Sequence, residues 1–538
     1  MKKESNTRRS GVLLPVFSLP SRTGIGGFSH QAESFLDFLA EAGQAFWQVL
    51  PLEPATEDHS PYQPFSCFAH EPAFIDPEIL REEGLLTAED LRQYREALQD
   101  ARHIEEAGRI DYDRVLPALA QLRRTAFGRF RDLLRDGSAG PAGDLFNAYR
   151  KEQAWWLHDY ALFVVLKERF GGAPWADWPE EYKRRNPEAL AAVQRENAHE
   201  IGYLAWEQFE AAREWERIHA YAQSKGIRII GDLPIYAALE SADCWAHPEL
   251  FELDEDLRPR TVSGCPPDAF APQGQFWNNP LYRWEEAKEK VFFWWFQRFR
   301  RKFEDFDALR IDHFRGFESY FSIPADGTPA DGHWVKGPGI EFFNALDRAV
   351  GHRGMIAEDL GYLTPEVVEL RTETGFPGMK ILQFAFDSDM NNPYLPHNYG
   401  IRTVVYPGTH DNDTSRGWYQ NAPQQRRDFA CWYLGQYFRD RQSHPAVQSL
   451  PPEQRARWLA GNVPEEEFAD AFVLLAEMSP AETCIVGAWD LLGLGSEARI
   501  NVPSVAGGNW NWQLGMGSLT PALASRLRTL AADCSRLE

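Results

Sequence analysis

The 538-residue sequence is short of most features that would place it in a specialised class. No apolar run approaches the roughly 20 residues of a helical membrane span. The cysteines, Cys67, Cys244, Cys265, Cys431, Cys484 and Cys534, lie far apart and form no C-x-x-C pair. That argues against a zinc knuckle or a small disulfide scaffold and fits reduced thiols in a cytoplasm. Basic charge is scarce: 56 Lys and Arg face 79 Asp and Glu, a net charge of -23. Nucleic acid and anionic membrane surfaces are therefore poor partners, since both need basic patches to replace counterions. Internal repeats, low-complexity tracts, an H-E-x-x-H pair and a G-x-S-x-G elbow are absent too, which removes solenoids, zincins and serine hydrolases. The pattern GLGSEA at 493–498 is a literal G-x-G-x-x-A, but no acidic residue follows at the ribose-binding offset of roughly 20. It reads as the last loop of a sheet.

The N-terminus needs a separate look. Lys2, Lys3, Arg8 and Arg9 precede GVLLPVFSL and imitate a signal peptide, even a twin-arginine one. Pro15 interrupts the run and no small-x-small site follows, so the stretch reads as a first strand after a ragged tail.

What is present is a series of short apolar runs: GVLLPVF (11–17), AFWQVLP (45–51), IRIIGDLP (227–234) and ALRID (308–312). It continues with GMIAED (354–359), MKILQFAF (379–386), RTVVYPGTH (402–410) and ETCIVGAW (482–489). Near-continuous apolar strands alternating with helical stretches predict a parallel sheet buried on both faces, and eight of them predict a closed α/β barrel of the TIM (β/α)8 type. An open doubly wound sheet is the alternative. Length alone would suggest about three domains, but the expected organisation is one catalytic barrel over 1–538 with insertions. These are a helical insertion at 79–205 after the second strand, an irregular loop insertion at 237–284 broken by Gly264, Pro266, Pro267, Gly274 and Pro280, and a C-terminal loop and helix at 490–538.

Three acidic residues stand at or just past strand ends: Asp312, Glu358 and Asp411. In ALRID the period-two alternation sends Arg310 and Asp312 to one side. Arg310 is expected to depress the Asp312 pKa and hold a nucleophile ionised, though a structural ion pair explains the same residues equally well. Glu358 precedes Asp359, and adjacent like charges are expected to raise one pKa, as a general acid needs. The alternative is two solvated acids before a helix capped by Thr364 with Pro365 at its first position. THDNDT (409–414) is rich in sugar-binding groups, and Arg416 stands where an EF-hand needs glycine. A catalytic metal there is the lesser reading. Aromatics make up 13% of the chain. Sugars stack their C–H faces on such rings, and Tyr62 in SPYQPFS and Trp277 in GQFWNNP, flanked by loop residues, are the better candidates.

These segments together resemble glycoside hydrolase family 77, the bacterial 4-α-glucanotransferases or amylomaltases. The likeness runs from Gly11 to about Gln513 and is carried by WQVLPL with SPYQ, GDLPIY, WAHPELF, NPLYRW, LRIDHFRGFE, AEDLG, PGMKILQFAF, GTHDNDT, DLLGLGSEARIN and GNWNW. The resemblance implies Asp312 as nucleophile, Glu358 as acid/base and Asp411 as transition-state stabiliser. It implies a retaining transfer of an α-1,4-glucan segment to the 4-hydroxyl of glucose or an acceptor glucan, with cyclisation of long amylose as a further outcome and no cofactor or metal. Asp232, Arg310, His410 and Asp387 are expected near the cleaved bond, Ser60 and Tyr62 further out, and Asp268, Gln275 and Trp277 on an acceptor-side lid within 237–284. Implied partners are maltooligosaccharides, amylose or glycogen-derived glucans, in the cytoplasm, for a monomer or simple homo-oligomer. The chain departs from the family pattern at EPATEDH before SPYQ, at Trp489, and at Cys265 in the lid. An α-glucan hydrolase on the same scaffold and a catalytically silent glucan-binding protein are the rival readings.

Overall fold

The computed structural model describes residues 8–56, 58–98, 108–267, 273–361, 363–505 and 507–537. Eight strands form a closed barrel: β1 (Arg9–Leu13), β2 (Phe46–Gln48), β3 (Arg228–Leu233), β4 (Ala308–Ile311), β5 (Gly354–Ala357), β6 (Gly378–Ile381), β7 (Thr403–Tyr406) and β8 (Thr483–Gly487). Each strand pairs in parallel with its sequence neighbour, and β8 closes on β1. All eight expected runs are strands. Their apolar side chains, among them Ile229, Leu309, Ile311, Met379, Val405 and Ile485, are fully buried, as a sheet covered on both faces requires. Pro15 ends β1, and the chain turns into a short 3-10 helix at Val16–Ser18.

Between β2 and β3 the chain is helical. Helix Ala88–Ala97 starts on a capping box of Thr87 and Asp90. Helix Tyr112–Arg135 runs through Pro117 and buries Val115, Leu119, Leu122, Phe127 and Phe130 at helical spacing. Helices Gly140–Glu152 and Ala154–Arg169 are separated at Gln153, helices Pro187–Glu196 and Ala198–Ser224 at Asn197, and the last of these stops before Gly226, whose φ of +75° suits glycine. That helix anchors the insertion to the barrel: Trp215 packs on Phe28, Trp47 and Phe306 at ring-centroid distances of 5.1, 6.1 and 5.8 Å and donates its indole N–H to the Asp305 carbonyl at 3.0 Å.

Two features differ from expectation. Residues 237–284 are not irregular throughout: Thr261–Cys265 and Gln275–Pro280 join Ser319–Pro324 and His333–Lys336 in a four-stranded antiparallel sheet beside the barrel mouth. Gly264 is the breaker that permits it, because a Cβ there would lie 2.2 Å from the Gln275 carbonyl oxygen across a shifted register. A second helical block, including Gln424–Asp440, Pro452–Leu459 and Glu465–Met478, separates β7 from β8. The C-terminal helix Pro521–Asp533 packs on helix His30–Glu41. Beyond it the buried Arg536 guanidinium donates to the carbonyls of Glu477, Ala481 and Arg9 at 2.8, 2.8 and 3.1 Å, tying β1 and the approach to β8 together.

Candidate active site

Backbone pairing sets the carboxylates at the barrel's C-terminal rim, where barrel enzymes carry their chemistry. The Asp312 N–H donates to the Leu233 carbonyl at 3.0 Å and the Glu358 N–H to the Ile311 carbonyl at 3.1 Å, so both residues extend the ladder one position past β4 and β5. Strand register places Asp232 of β3 directly beside Arg310 of β4. The fully buried Asp232 carboxylate accepts two bonds from one guanidinium nitrogen of Arg310, at 2.7 and 2.8 Å. The same nitrogen reaches Asp312 at 3.0 Å. One cation is therefore shared by two anions. Burial pushes the Asp312 carboxyl up from the ordinary range and Arg310 only opposes that rise, so the expectation that Arg310 depresses it is corrected. The Asp312 side chain keeps 28% of its exposure, enough to meet a substrate.

Glu358 has a carboxyl pushed up to about 7, first by burial, with Asp312 adding to it and Arg310 opposing. Asp359 is not the cause. It points away, as alternation along an extended chain demands, and its buried carboxylate accepts the Met379 N–H at 2.8 Å and faces Arg371. Both Glu358 oxygens accept backbone N–H groups, from His313 at 2.8 Å and Leu360 at 2.9 Å. His313 makes this possible by adopting a left-handed φ of 52°. Its buried ring, repelled by Arg315, has a pKa lowered to about 3 and stays neutral.

Tyr62, expected further out, instead joins His410 and Asp232 in completing the polar floor. A carboxylate only accepts, so the Tyr62 hydroxyl donates to Asp232 at 2.8 Å and receives the Nε2–H of His410 at 2.9 Å. This fixes His410 as the Nε2–H tautomer, consistent with an Nδ1 that has no partner among the described residues and with burial lowering its pKa. The two rings stack at 5.4 Å and 17°. Asp411 lies 3.4 Å from His410 Nε2, accepts the Asn501 amide at 2.6 Å, and keeps 43% of its side-chain exposure.

The other expected residues sit around this core. Trp277 packs edge-on against His313 at 4.8 Å, and its indole N–H donates to Gln275 at 3.0 Å, so the antiparallel sheet brings this pair beside His313. Among the described residues Ser60 has no hydrogen bond to Asp312, Glu358 or Asp411; its N–H donates to Asp58 at 3.0 Å, and its hydroxyl accepts the Tyr62 N–H at 3.4 Å and shapes that turn. Asp387 is exposed, is held by Asn392 at 2.9 Å, and lines a cavity of about 360 Å³ with Gly361, Phe384 and Tyr394, next along the chain from Leu360. Asp268 lies outside the described residues. Trp489 is buried edge-on against Trp512 at 6.1 Å, and Cys265 is half-buried at the end of the strand Thr261–Cys265. Among the described residues no group of three or more His, Cys, Asp or Glu could hold a metal ion, and no helix is long and apolar enough to cross a membrane.

The family described as 4-alpha-glucanotransferase matches residues 14–518. The 4-alpha-glucanotransferase of Thermus thermophilus is 42% identical over 98% of this chain and 99% of its own length. The chain belongs to this family. The chloroplastic/amyloplastic 4-alpha-glucanotransferase of Solanum tuberosum is 37% identical over 100% of this chain and 88% of its own. Among solved structures, the amylomaltase of Streptococcus agalactiae in complex with acarbose superposes with a TM-score of 0.86 at 34% identity, covering 99% of this chain and 100% of that one. The Corynebacterium glutamicum amylomaltase, at 19% identity and a TM-score of 0.76 over 98% and 75% of the two chains, shares the fold. Family membership makes the protein a glycosyltransferase acting on α-1,4-glucans, and the hydrolase reading is not favoured.

Reading the sequence missed the supports of the acids: His313 under Glu358, and Arg499 and Asn501, which hold Asp411 by its carbonyl at 3.0 Å and its carboxylate at 2.6 Å. The ARIN and HFRG segments were visible as motifs, but nothing local shows that residue 501 reaches residue 411.

Proposed function

We propose that Asp312, Glu358 and Asp411 carry the α-1,4-glucan transfer by a retaining double displacement. The observation that carries this reading is a carboxyl raised to about 7, Glu358, on the strand next to an Arg310-paired Asp312. Glu358 protonates the glycosidic oxygen as the C1–O4 bond breaks, and Asp312 attacks the anomeric carbon to form a β-linked glycosyl-enzyme. The acceptor's 4-hydroxyl then gives its proton to the Glu358 carboxylate and attacks the same carbon, which restores the α-1,4 bond and frees Asp312. Burial favours the first step, because a partly desolvated carboxylate is a stronger nucleophile than a hydrated one. Retention calls for carboxyl groups about 5 to 5.5 Å apart.

Asp411, oriented by Asn501, grips donor hydroxyls that tighten toward the oxocarbenium state, and Tyr62, Asp232, Arg310 and His410 line the pocket beneath the donor sugar. Asp387 contacts the sugar near the cleaved bond, and Ser60 holds the glucan further out. The acceptor-side lid within 237–284, which carries Asp268, Gln275 and Trp277, keeps water from the intermediate while the acceptor enters. The substrates are maltooligosaccharides, amylose or glycogen-derived glucans, and cysteines that form no disulfide among the described residues suit a cytoplasmic enzyme. Incubation with maltotriose tests the reading: glucose should appear together with longer maltooligosaccharides, and formation of shorter sugars alone would overturn it.

A further inference from the structure

Behind Asp411 lies a buried acid that the mechanism does not use. Asp490 stands in helix Ala488–Leu491 just after β8 and is fully buried. Its Oδ1 accepts the Ser415 N–H at 2.7 Å. Its Oδ2 and the Ser415 hydroxyl have no partner at hydrogen-bond distance among the described residues, yet the hydroxyl faces the same carboxyl closely enough to favour its charged form. Burial pushes this carboxyl up to about 7, and Asp413, the one charged group acting on it among the described residues, pushes the same way. A proton on Oδ2 would be donated to the Ser415 hydroxyl, satisfying both unpartnered atoms.

The bond to Ser415 belongs to a wider seam. Residues 490–501, all following β8, meet residues 410–415, all following β7, at five places. Asn501 N–H donates to the His410 carbonyl at 3.0 Å, Arg499 to the Asp411 carbonyl at 3.0 Å and the Asn501 amide to the Asp411 carboxylate at 2.6 Å. Ser496 donates to Asp413 at 2.8 Å, and Asp490 accepts from Ser415. Arg499, Asn501 and Ser496 are partly exposed to solvent, where water can replace them. Asp490 is the fully buried member, so its loss leaves an N–H that no water reaches.

We propose that Asp490 is a positioning residue for glucan transfer: through Ser415 it pins the far end of the His410–Thr414 segment and so holds Asp411 against the donor sugar. This rests on the assignment of Asp411 above. Such a residue acts on transition-state geometry more than on ground-state binding, where many other contacts hold the glucan.

Ser415 offers a test. It is the first residue of helix Ser415–Asn421 and follows Thr414, whose extended backbone (φ -61°, ψ 156°) is the conformation that precedes proline. Ser415→Pro deletes the N–H and keeps the helix start, but its ring Cδ would stand where Asp490 Oδ1 now accepts at 2.7 Å, so a fall in its kcat counts only when Asp490→Ala, which has no such overlap, falls too. Steady-state transfer on maltotriose is expected to show kcat lowered at least tenfold, with KM within about twofold, in both Asp490→Ala and Ser415→Pro. Asp490→Asn, the uncharged isostere that still accepts from Ser415, is expected to keep kcat within about threefold. The double variant Asp490→Ala with Ser415→Pro should be no worse than either single one. Unchanged kcat in folded Ser415→Pro, or Asp490→Asn as impaired as Asp490→Ala, overturns the inference; if Asp490→Ala does not fold, the double variant, in which the same overlap is absent, takes its place. Asp411→Asn in the same assay separates the two readings: if it stays active the Asp411 assignment has failed, whereas if it is inactive and Ser415→Pro is normal, only the role of Asp490 has.

Discussion

Replacing Glu358 by Gln should remove activity and, above neutral pH, reverse part of a stability penalty that the native acid imposes. The Glu358 carboxyl stands at about 7 in the folded protein against an ordinary 4.5. A group whose folded value lies above its unfolded value binds more protons in the native state. Its favourable contribution is therefore complete below about 4.5 and is lost as pH rises through about 7. Between pH 5 and 8 the two values give a loss of about 2.5 kcal/mol. The amide carries no such dependence, but both Glu358 oxygens accept N–H groups, so one of them, from His313 or Leu360, would face the amide nitrogen. That costs roughly 1–2 kcal/mol at every pH. The quantity free of this offset is the difference between wild type and Glu358→Gln at pH 8 minus the difference at pH 5. For 538 residues the unfolding entropy is about 1.1 kcal/mol/K, so 2.5 kcal/mol corresponds to about 2 °C in Tm. Calorimetric scans at the two pH values should show the variant gaining about 2 °C on the wild type as pH rises. A difference that does not move with pH, or moves the other way, would refute the raised carboxyl and with it the acid role.

Tyr62→Phe removes the donor to Asp232 and the acceptor for His410; kcat/KM on maltotriose should fall about tenfold, equivalent to the 1–2 kcal/mol of a buried bond lost to a charged partner, and an unchanged value would place the tyrosine outside the site. Trp277→Ala opens the packing on His313, so the ratio of hydrolysis to transfer, measured as new reducing ends per glucose transferred, should rise several-fold; a constant ratio would mean that this ring does not exclude water. Trp215→Ala empties the contact between the helical insertion and the barrel. It is expected to cost about 3–5 kcal/mol, a Tm fall of roughly 3–4 °C, with kcat unchanged below the transition.

The barrel was legible because buried parallel strands leave an unbroken apolar signature, and Ile, Val, Leu and Met in eight short runs carried it. The antiparallel sheet was not, since TVSGC, QFWNNP and HWVK are polar, glycine-bearing or partly exposed and match no strand template. In the site, the identity and order of the acids were readable, but their electrostatics were not. The alternation that joined Arg310 to Asp312 also turns Asp359 away from Glu358, which two adjacent letters conceal. That Arg310 is shared with Asp232 depends on strand register across 78 residues, and that burial governs Glu358 depends on what covers it. Asn501 and Asp490 are invisible for the same reason: they serve residues 90 and 75 positions away.

The central claim is that Asp312 forms a covalent bond to the anomeric carbon. Reaction with a slow fluorinated glucosyl donor, followed by peptide mapping by mass spectrometry, tests it most directly. One added sugar on the peptide bearing Asp312, absent in Asp312→Asn, is the predicted result. An unlabelled enzyme that nonetheless turns the donor over, or a label carried by another carboxylate, would contradict it.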